Sequence, residues 1–399
     1  MPVAVRGIVV FATAMQTLQV FVSALLIAAP TLAQSLSATP FTNPAGPGSL
    51  QPNWSVTTDG GTVLNWVEPT KDGSGTLKYA VRRNGAWSQP VTIAAHRHFF
   101  RHPAEVPEVM QTGAGHWLAH WVENQESSDA EYVYVSSSAD GTHWTAPLQA
   151  NRDRSAVQHG LASMVTNPDG GASIFWLEAL KGEDGPVFLM RSVVDANGKE
   201  VNEERLDDDV CACCPTAVAK TAKGLLVAYR DHTVKNIRDI AVLRFENGKW
   251  SQSKIINNDN WQIDACPVNA AAVAARGDRA SISWYTSAHD SPQVKLVFST
   301  DDGVTFGKPI LISTGHALGY TSLVLDDAGN ATVSWLEQGS GGGARVLVRE
   351  VTAAGAAGPA LEIAKGDKSD LGYPKMAHAG KETVIAWGDG AKIRTAAVH

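Results

Sequence analysis

Apolar and polar positions along the chain follow one recurring pattern: a glycine-containing turn, a short β-type run, then an aromatic and usually an acid. The pattern reads Leu64-Asn65-Trp66-Val67-Glu68, Ala119-His120-Trp121-Val122-Glu123, Ile174-Phe175-Trp176-Leu177-Glu178, Val227-Ala228-Tyr229-Arg230-Asp231, Ile282-Ser283-Trp284-Tyr285, Val333-Ser334-Trp335-Leu336-Glu337 and Ile385-Ala386-Trp387-Gly388-Asp389. Successive aromatics stand 55, 55, 53, 55, 51 and 52 residues apart. Each unit then continues in the same order. A strand begins near a Pro or Gly, and a turn such as Asn167-Pro168-Asp169-Gly170 leads to the aromatic strand, a polar loop, a third strand, a turn and a fourth. The third strand is clear in Tyr132-Val133-Tyr134-Val135 and in Val294-Lys295-Leu296-Val297-Phe298. Four strands in about fifty residues make one blade of a β-propeller.

The expectation is therefore an all-β chain, a β-propeller of four-stranded blades. Seven units predict seven blades, with a six-bladed ring plus one peripheral unit as the alternative. The last unit runs out after Lys392-Ile393-Arg394-Thr395-Ala396-Ala397-Val398, a third strand with no fourth after it. A segment between Ser37 and Pro52 is placed to supply that outer strand and close the ring. Residues 34–51 thus read as lead-in and ring-closing strand, and residues 52–399 as the propeller. No long amphipathic helix follows the first thirty-odd residues, which argues against a helical solenoid.

Residues 1–33 read as a signal peptide. Arg6 is the only charge before an apolar stretch ending at Ala29, and small residues follow through Ala33, where cleavage is expected. The competing reading is an uncleaved anchor from Gly7 to Ala29, interrupted by Gln16 and Gln19. With no second spanning stretch, the mature body is expected to be exported, periplasmic or secreted, free of the membrane after cleavage and in a disulfide-permissive compartment. The 399 residues carry 33 basic and 40 acidic side chains, and a net charge of −7 argues against a nucleic-acid partner. A hydrophobic content of 44% with 18% charge suffices for a sizeable core without disulfide staples. There is no Gly-x-Gly-x-x-Gly, P-loop or Gly-x-Ser-x-Gly element.

Two turns after third strands carry a signature. Ser299-Thr300-Asp301-Asp302-Gly303-Val304-Thr305-Phe306 matches the Asp-box hairpin, Ser-x-Asp-x-Gly-x-Thr-Trp/Phe. Ser138-Ala139-Asp140-Gly141-Thr142-His143-Trp144 is a one-residue-shorter variant, and Asn84-Gly85-Ala86-Trp87 and Asn247-Gly248-Lys249-Trp250 are remnants. In such a turn Asp bonds backbone amides, Gly takes a positive φ and the aromatic packs into the blade edge. On these residues the chain resembles the sialidase-like propellers of Asp-box, or BNR, repeats. It is also similar to a bacterial group of exported sialidase-like proteins marked by Cys-x-Cys-Cys-Pro and Cys-Pro-Val-Asn, here Cys211-Ala212-Cys213-Cys214-Pro215 and Cys266-Pro267-Val268-Asn269. The resemblance implies that the boxes are structural and lie on the face opposite the active site.

In a propeller the inner strand starts, and the second strand ends, on the face where the central channel opens. Second-strand ends would bring Glu68, Glu123, Glu178, Arg230, Asp231, Glu337 and Asp389 to this mouth. Inner-strand starts would bring Arg101, His102, His159, Cys213, Cys214, Cys266, Tyr320 and Tyr373. The plainer reading is that the repeated Trp and acid serve blade packing. The sialidase resemblance implies three arginines on a substrate carboxylate, an acid/base aspartate, and a tyrosine nucleophile activated by a glutamate. Phe100-Arg101-His102-Pro103 resembles the family's aromatic-Arg-Ile-Pro motif, with His102 in place of Ile. That makes Arg101, Arg230 and Arg349, with Tyr320, the implied substrate-binding residues, Tyr373 the implied nucleophile, and Glu178 or Asp231 the implied acids. Seven units depart from the six blades typical of sialidases.

The four cysteines carry a separate expectation. Cys214-Pro215 and Cys266-Pro267 occupy equivalent positions in neighbouring units, 15 residues before Tyr229 and 18 before Trp284. Cys211, Cys213, Cys214 and Cys266, with His159 or His102 nearby, would suit copper or zinc, since soft ligands select those ions. Ordinary disulfides, for instance Cys214 to Cys266, are the alternative. Tyr229-Arg230-Asp231-His232 and Ile237-Arg238-Asp239-Ile240 form another dense polar run, for ligand binding or for internal pairing. The function expected is an exported sialidase-like propeller binding a small polar ligand, a glycan or acidic sugar, and acting as an exo-glycosidase if catalytic. The alternatives are a soft-metal or thiol redox protein and a protein-interaction platform.

Overall fold

The computed structural model describes residues 1–3, 7, 35–125, 130–180 and 185–399. The signal peptide expected over 1–33 lies outside the described residues apart from 1–3 and 7. The propeller, from residue 35 on, is one compact unit. Among the described residues no helix is long and apolar enough to cross a membrane.

Seven antiparallel sheets form the body. Blades 1 to 7 are numbered by their aromatic strands: Thr62–Pro69, Trp117–Asn124, Ala172–Ala179, Gly224–Arg230, Arg279–Thr286, Ala331–Gln338 and Glu382–Asp389. Each inner strand touches the next, and the last, Lys375–Ala379, touches the first, Leu50–Val56, so the sheets close into a seven-bladed ring. In blade 3 the pairing between Ala172–Ala179 and Val187–Val194 is unbroken from Ala172↔Val194 to Ala179↔Val187. Blade 7 uses both ends of the described propeller chain. Ala38–Phe41 pairs with Lys392–Val398 from Ala38↔Val398 to Phe41↔Thr395, which covers the outer edge of the final blade.

The aromatic strands are buried on both faces because each blade is sandwiched between two others. Along Ala172–Ala179 every residue is buried. Successive side chains point to opposite sides of a strand. Phe175 and Leu177 therefore pack with Val227 and Tyr229 of blade 4, while Ile174 and Trp176 pack with Leu118 and Val122 of blade 2. The five largest fully buried side chains are Trp66, Trp121, Trp176, Trp284 and Trp335.

Burying an indole requires a partner for its N–H. A residue two positions on lies on the same face of the strand, which is why the pattern places an acid there. Nε1 of Trp66, Trp121, Trp176 and Trp335 donates to Glu68, Glu123, Glu178 and Glu337 at 2.9, 2.5, 3.4 and 3.0 Å. Cations complete three of these locks: Lys78 on Glu68, Arg97 on Glu123 and Arg345 on Glu337. Burial alone would raise the carboxyls of Glu68 and Glu337. The hydrogen bonds they accept outweigh it and hold both below the ordinary value. Blade 5 has Thr286 where the acid would stand, and Asp259 from the preceding loop takes over, accepting from Trp284 Nε1 at 2.7 Å and pairing with Lys295 at 2.6 Å.

The Asp-boxes are turns between third and outer strands. Asp301 accepts from Thr305 N at 2.9 Å and Thr305 Oγ1 at 2.6 Å, and Gly303 N donates to Ser299 Oγ at 2.9 Å. Gly303 has φ +79°, and a Cβ there would stand 2.9 Å from Leu226 of the preceding blade, blade 4. These turns lie at the far ends of the third strands, away from the mouth.

Candidate functional site

Loops entering the inner strands and hairpins leaving the second strands meet at the mouth. A hollow of about 750 Å³ opens there between blades 5 and 6 and is lined by Trp261, Tyr285, Tyr320, His289, His316 and Lys368, among others. The ring of Trp261 stands edge-on to Tyr285 with centroids 5.4 Å apart. Four lining residues, Asn260, His289, Asp290 and Tyr320, have left-handed backbones with φ of +55°, +56°, +54° and +57°. Non-glycine residues held there store strain that concentrates at functional sites.

Asn269, the last residue of Cys-Pro-Val-Asn, holds this region together. Its Oδ1 accepts from Tyr320 N at 2.7 Å, and its Nδ2 donates to the carbonyls of Pro267 at 3.1 Å and Leu318 at 3.3 Å. Gly319 lets the strand come this close, since a Cβ there would lie 2.0 Å from Asn269 Oδ1.

A second hollow of about 220 Å³ lies across the mouth, lined by Gln51, Arg101, His102, Asp370 and Tyr373 among others. Arg101 is exposed, and its Nη2 donates to the carbonyls of Gly73 at 2.6 Å and Ser74 at 3.0 Å. His102 stacks on Phe100 with centroids 5.4 Å apart, and its Nδ1 accepts from Ala104 N at 3.2 Å. Burial lowers His102 from its ordinary value, favouring the neutral ring. Tyr373 packs against Tyr320 at 4.0 Å between ring centroids, so the two expected tyrosines do meet. The Tyr373 hydroxyl donates to the Val268 carbonyl, and burial pushes the phenol well above its ordinary value.

The other expected residues are placed apart. Arg230 is 2% exposed, and its guanidinium donates to the carbonyls of Arg238 at 2.6 Å, Tyr285 at 2.9 Å and Asn269 at 3.1 Å while lying 5.0 Å over Trp261. It ties blade 4 to blade 5 and supports the floor of the larger hollow. Arg349 sits on the third strand of blade 6 and donates to the Ile312 carbonyl at 2.6 Å, lining neither hollow. The three arginines do not converge. Glu178 belongs to the set of packing acids, and His159 Nδ1 approaches it at 3.1 Å. Asp231 is partly buried, and burial followed by the charges of Asp207 and Asp209 raises it to about 6.

The cysteines divide. Cys211, Cys213 and Cys214 bring their sulfurs within 4.8 Å of one another, whereas Cys266 is exposed and outside that group. All four are free thiols, without the Cys214 to Cys266 bridge that was the alternative. His159 is not with the thiols; it groups with Asp153 and Glu178. Arg238 Nη1 donates to Cys211 Sγ at 3.2 Å.

Sequence reasoning missed Trp261, Tyr285, His289 and His316 as lining residues. The available signal was the fifth aromatic strand, the one without an acid two residues after its Trp.

The family model of the BNR repeat-like domain matches residues 63–384, and the chain belongs to that family. The Asp-box resemblance and the seven-bladed fold therefore stand on both sequence and structure. Among solved structures the chain is similar to the BP39L lectin from Burkholderia pseudomallei, with 15% identity over 89% of this chain and 96% of that one and a TM-score of 0.60. It is also similar to an ulvan lyase of polysaccharide lyase family PL25, with 10% identity over 90% and 95% of the two chains and a TM-score of 0.57. For the same lyase bound to -[GlcA(1-4)Rha3S]- the TM-score is 0.56 at 10% identity, over 90% of this chain and 95% of that one. At these identities the likeness is one of fold. A search of curated protein sequences finds no match.

Proposed function

We propose that the protein is an exported glycan-binding propeller that holds an acidic sugar in the larger hollow of its mouth. The observation that carries this reading is the convergence of Trp261, Tyr285 and Tyr320 with His289, His316 and Lys368 in one hollow of about 750 Å³. Aromatic faces take the apolar side of a sugar ring, and the polar groups around them fix its hydroxyls. Lys368 and the two imidazoles supply positive or donor groups for a carboxylate or sulfate. The volume falls in the range of small-ligand sites. The names of the lectin, and of the lyase bound to a uronate-containing chain, support a glycan as ligand.

Binding rather than sialidase hydrolysis is the activity supported. Arg230 spends its donors on backbone carbonyls, Arg349 lies away from the mouth, and the Tyr373 hydroxyl donates to a carbonyl. The signal peptide read from 1–33 carries the chain out of the cytoplasm in this proposal, and the net charge of −7 leaves nucleic acid out.

The test is calorimetry of the purified protein with uronate-, sialate- and sulfate-bearing oligosaccharides beside their neutral counterparts. Acidic sugars are expected to bind, Tyr285→Ala to weaken binding by roughly fivefold through lost stacking, and Arg349→Ala to leave it unchanged. Equal binding of neutral and acidic sugars overturns the acidic preference. Release of free sialic acid would restore the hydrolase reading, and an intact N-terminus on cytoplasmic protein would sink export.

A further inference from the structure

The thiol group lines neither hollow of the mouth, and its geometry carries an inference independent of the glycan reading. We propose that Cys211, Cys213 and Cys214 form a three-thiolate site for a single Cu(I) ion. Cys211 Sγ lies 3.9 Å from Cys213 Sγ and 3.5 Å from Cys214 Sγ, and all three sulfurs fall within 4.8 Å of one another. With metal–sulfur bonds of about 2.3 Å, three sulfurs in a plane around one ion stand about 4.0 Å apart. The sulfurs are thus spaced for a trigonal ion with only side-chain adjustment. The spacing arises from a backbone pinned on both sides. Cys211 N donates to the Arg230 carbonyl at 3.0 Å, and Thr216 N donates to the Leu161 carbonyl at 3.1 Å, so the turn between them is clamped by blades 4 and 3.

Charge suits the ion. Arg238 reaches Cys211 Sγ at 3.2 Å, and the Arg230 guanidinium acts on both Cys211 and Cys214. Three thiolates with a monovalent ion leave two negative charges, which these two guanidiniums offset. Zinc prefers a fourth ligand. Among the described residues, His159 is engaged with Glu178 and Ser155, and Cys266 stands outside the sulfur group. Soft thiolates select Cu(I). Cys211 and Cys214 are each 1% exposed, so the half-exposed Cys213 is the side from which an ion enters.

The experiment is an anaerobic titration of the reduced protein with Cu(I) against a chromogenic Cu(I) chelator, followed by X-ray absorption at the copper edge. One ion per chain with three sulfur neighbours at about 2.3 Å is expected. Cys213→Ser should remove the three-sulfur signature while retaining the parent's circular dichroism and folding transition, which separates loss of the site from loss of the fold. Arg238→Gln should weaken Cu(I) by about 10–100-fold, the usual effect of removing a group that supports a ligand. Cys266→Ser should leave the stoichiometry at one. The proposal is overturned if the reduced protein takes no Cu(I), if Zn(II) displaces copper, or if Cys213→Ser binds Cu(I) as tightly as the parent.

Discussion

Blades 1, 2 and 6 close their second strands alike, with a buried Trp donating to a Glu two residues on and a cation on that Glu. Blades 4 and 5 do not. Blade 4 has Tyr229 in place of Trp, its hydroxyl donating to Asp207 at 2.5 Å, followed by an inward Arg230. Blade 5 has Thr286 in place of the acid and borrows Asp259 from a loop. The larger hollow opens beside blade 5 and the thiol group packs beside blade 4. In a repeat whose packing rule is this regular, the larger hollow and the thiol group stand beside two of the blades that depart from it.

The comparison can be broken most strongly at a regular lock. Trp335 is fully buried between blades, and Trp335→Ala should cost about 3–5 kcal/mol in denaturant unfolding. The borrowed lock comes next. Asp259→Ala strands both Trp284 Nε1 and Lys295 and should cost about 2–3 kcal/mol. Lys295 stands opposite Trp284 as Lys78 stands opposite Trp66, so adding Thr286→Glu to Asp259→Ala should recover about half of that loss. No recovery would mean that the lock is not set by the i, i+2 register.

A carboxylate without a cation should behave in the opposite sense to the locked ones. Glu131 has a buried Oε2 with no hydrogen-bond partner, and burial raises it from 4.5 to about 7 against the opposing charge of His159. The folded state therefore holds this proton above the pH at which the unfolded chain releases it. Stability contributed by the neutral acid is present below about pH 4.5 and is lost as pH rises through about 7. Glu131→Gln should flatten that slope and be about 1–3 kcal/mol more stable than the parent at pH 8 in urea titrations. The smallest effect on stability is expected at Asn269. Asn269→Ala should cost about 1 kcal/mol while weakening glycan binding more than any equally destabilising change in blade 2. Equal loss of binding in both would remove the distinction between regular and irregular blades.

Much of the scaffold was legible because it rests on local rules. The aromatic spacing marks seven blades, and the Trp and acid share a face because a strand alternates with a period of two. The Asp-box was readable for the same reason: Asp301, Gly303 and Thr305 bond within one turn. The site was less legible. Arg230 and Asp231 are adjacent at a strand end, yet one side chain turns inward to the carbonyls of blade 5 while the other meets the charges of Asp207 and Asp209. Nothing within the segment distinguishes these fates. His159 was placed near the thiols by its position at an inner-strand start, but Glu178 on the adjacent strand takes it instead.

The sequence by itself determined the class of fold, the number of blades and the lock that repeats through them, because periodicity and i, i+2 pairing act within a few residues along one strand. Tertiary structure decided which arginines face a cavity, which tyrosine is spent on a carbonyl, and that three of the four cysteines gather while the fourth stays at the surface. Those outcomes depend on where neighbouring blades present carbonyls and charges, and such contacts join Arg230 to Tyr285 and Tyr373 to Val268 across 55 and 105 residues of chain.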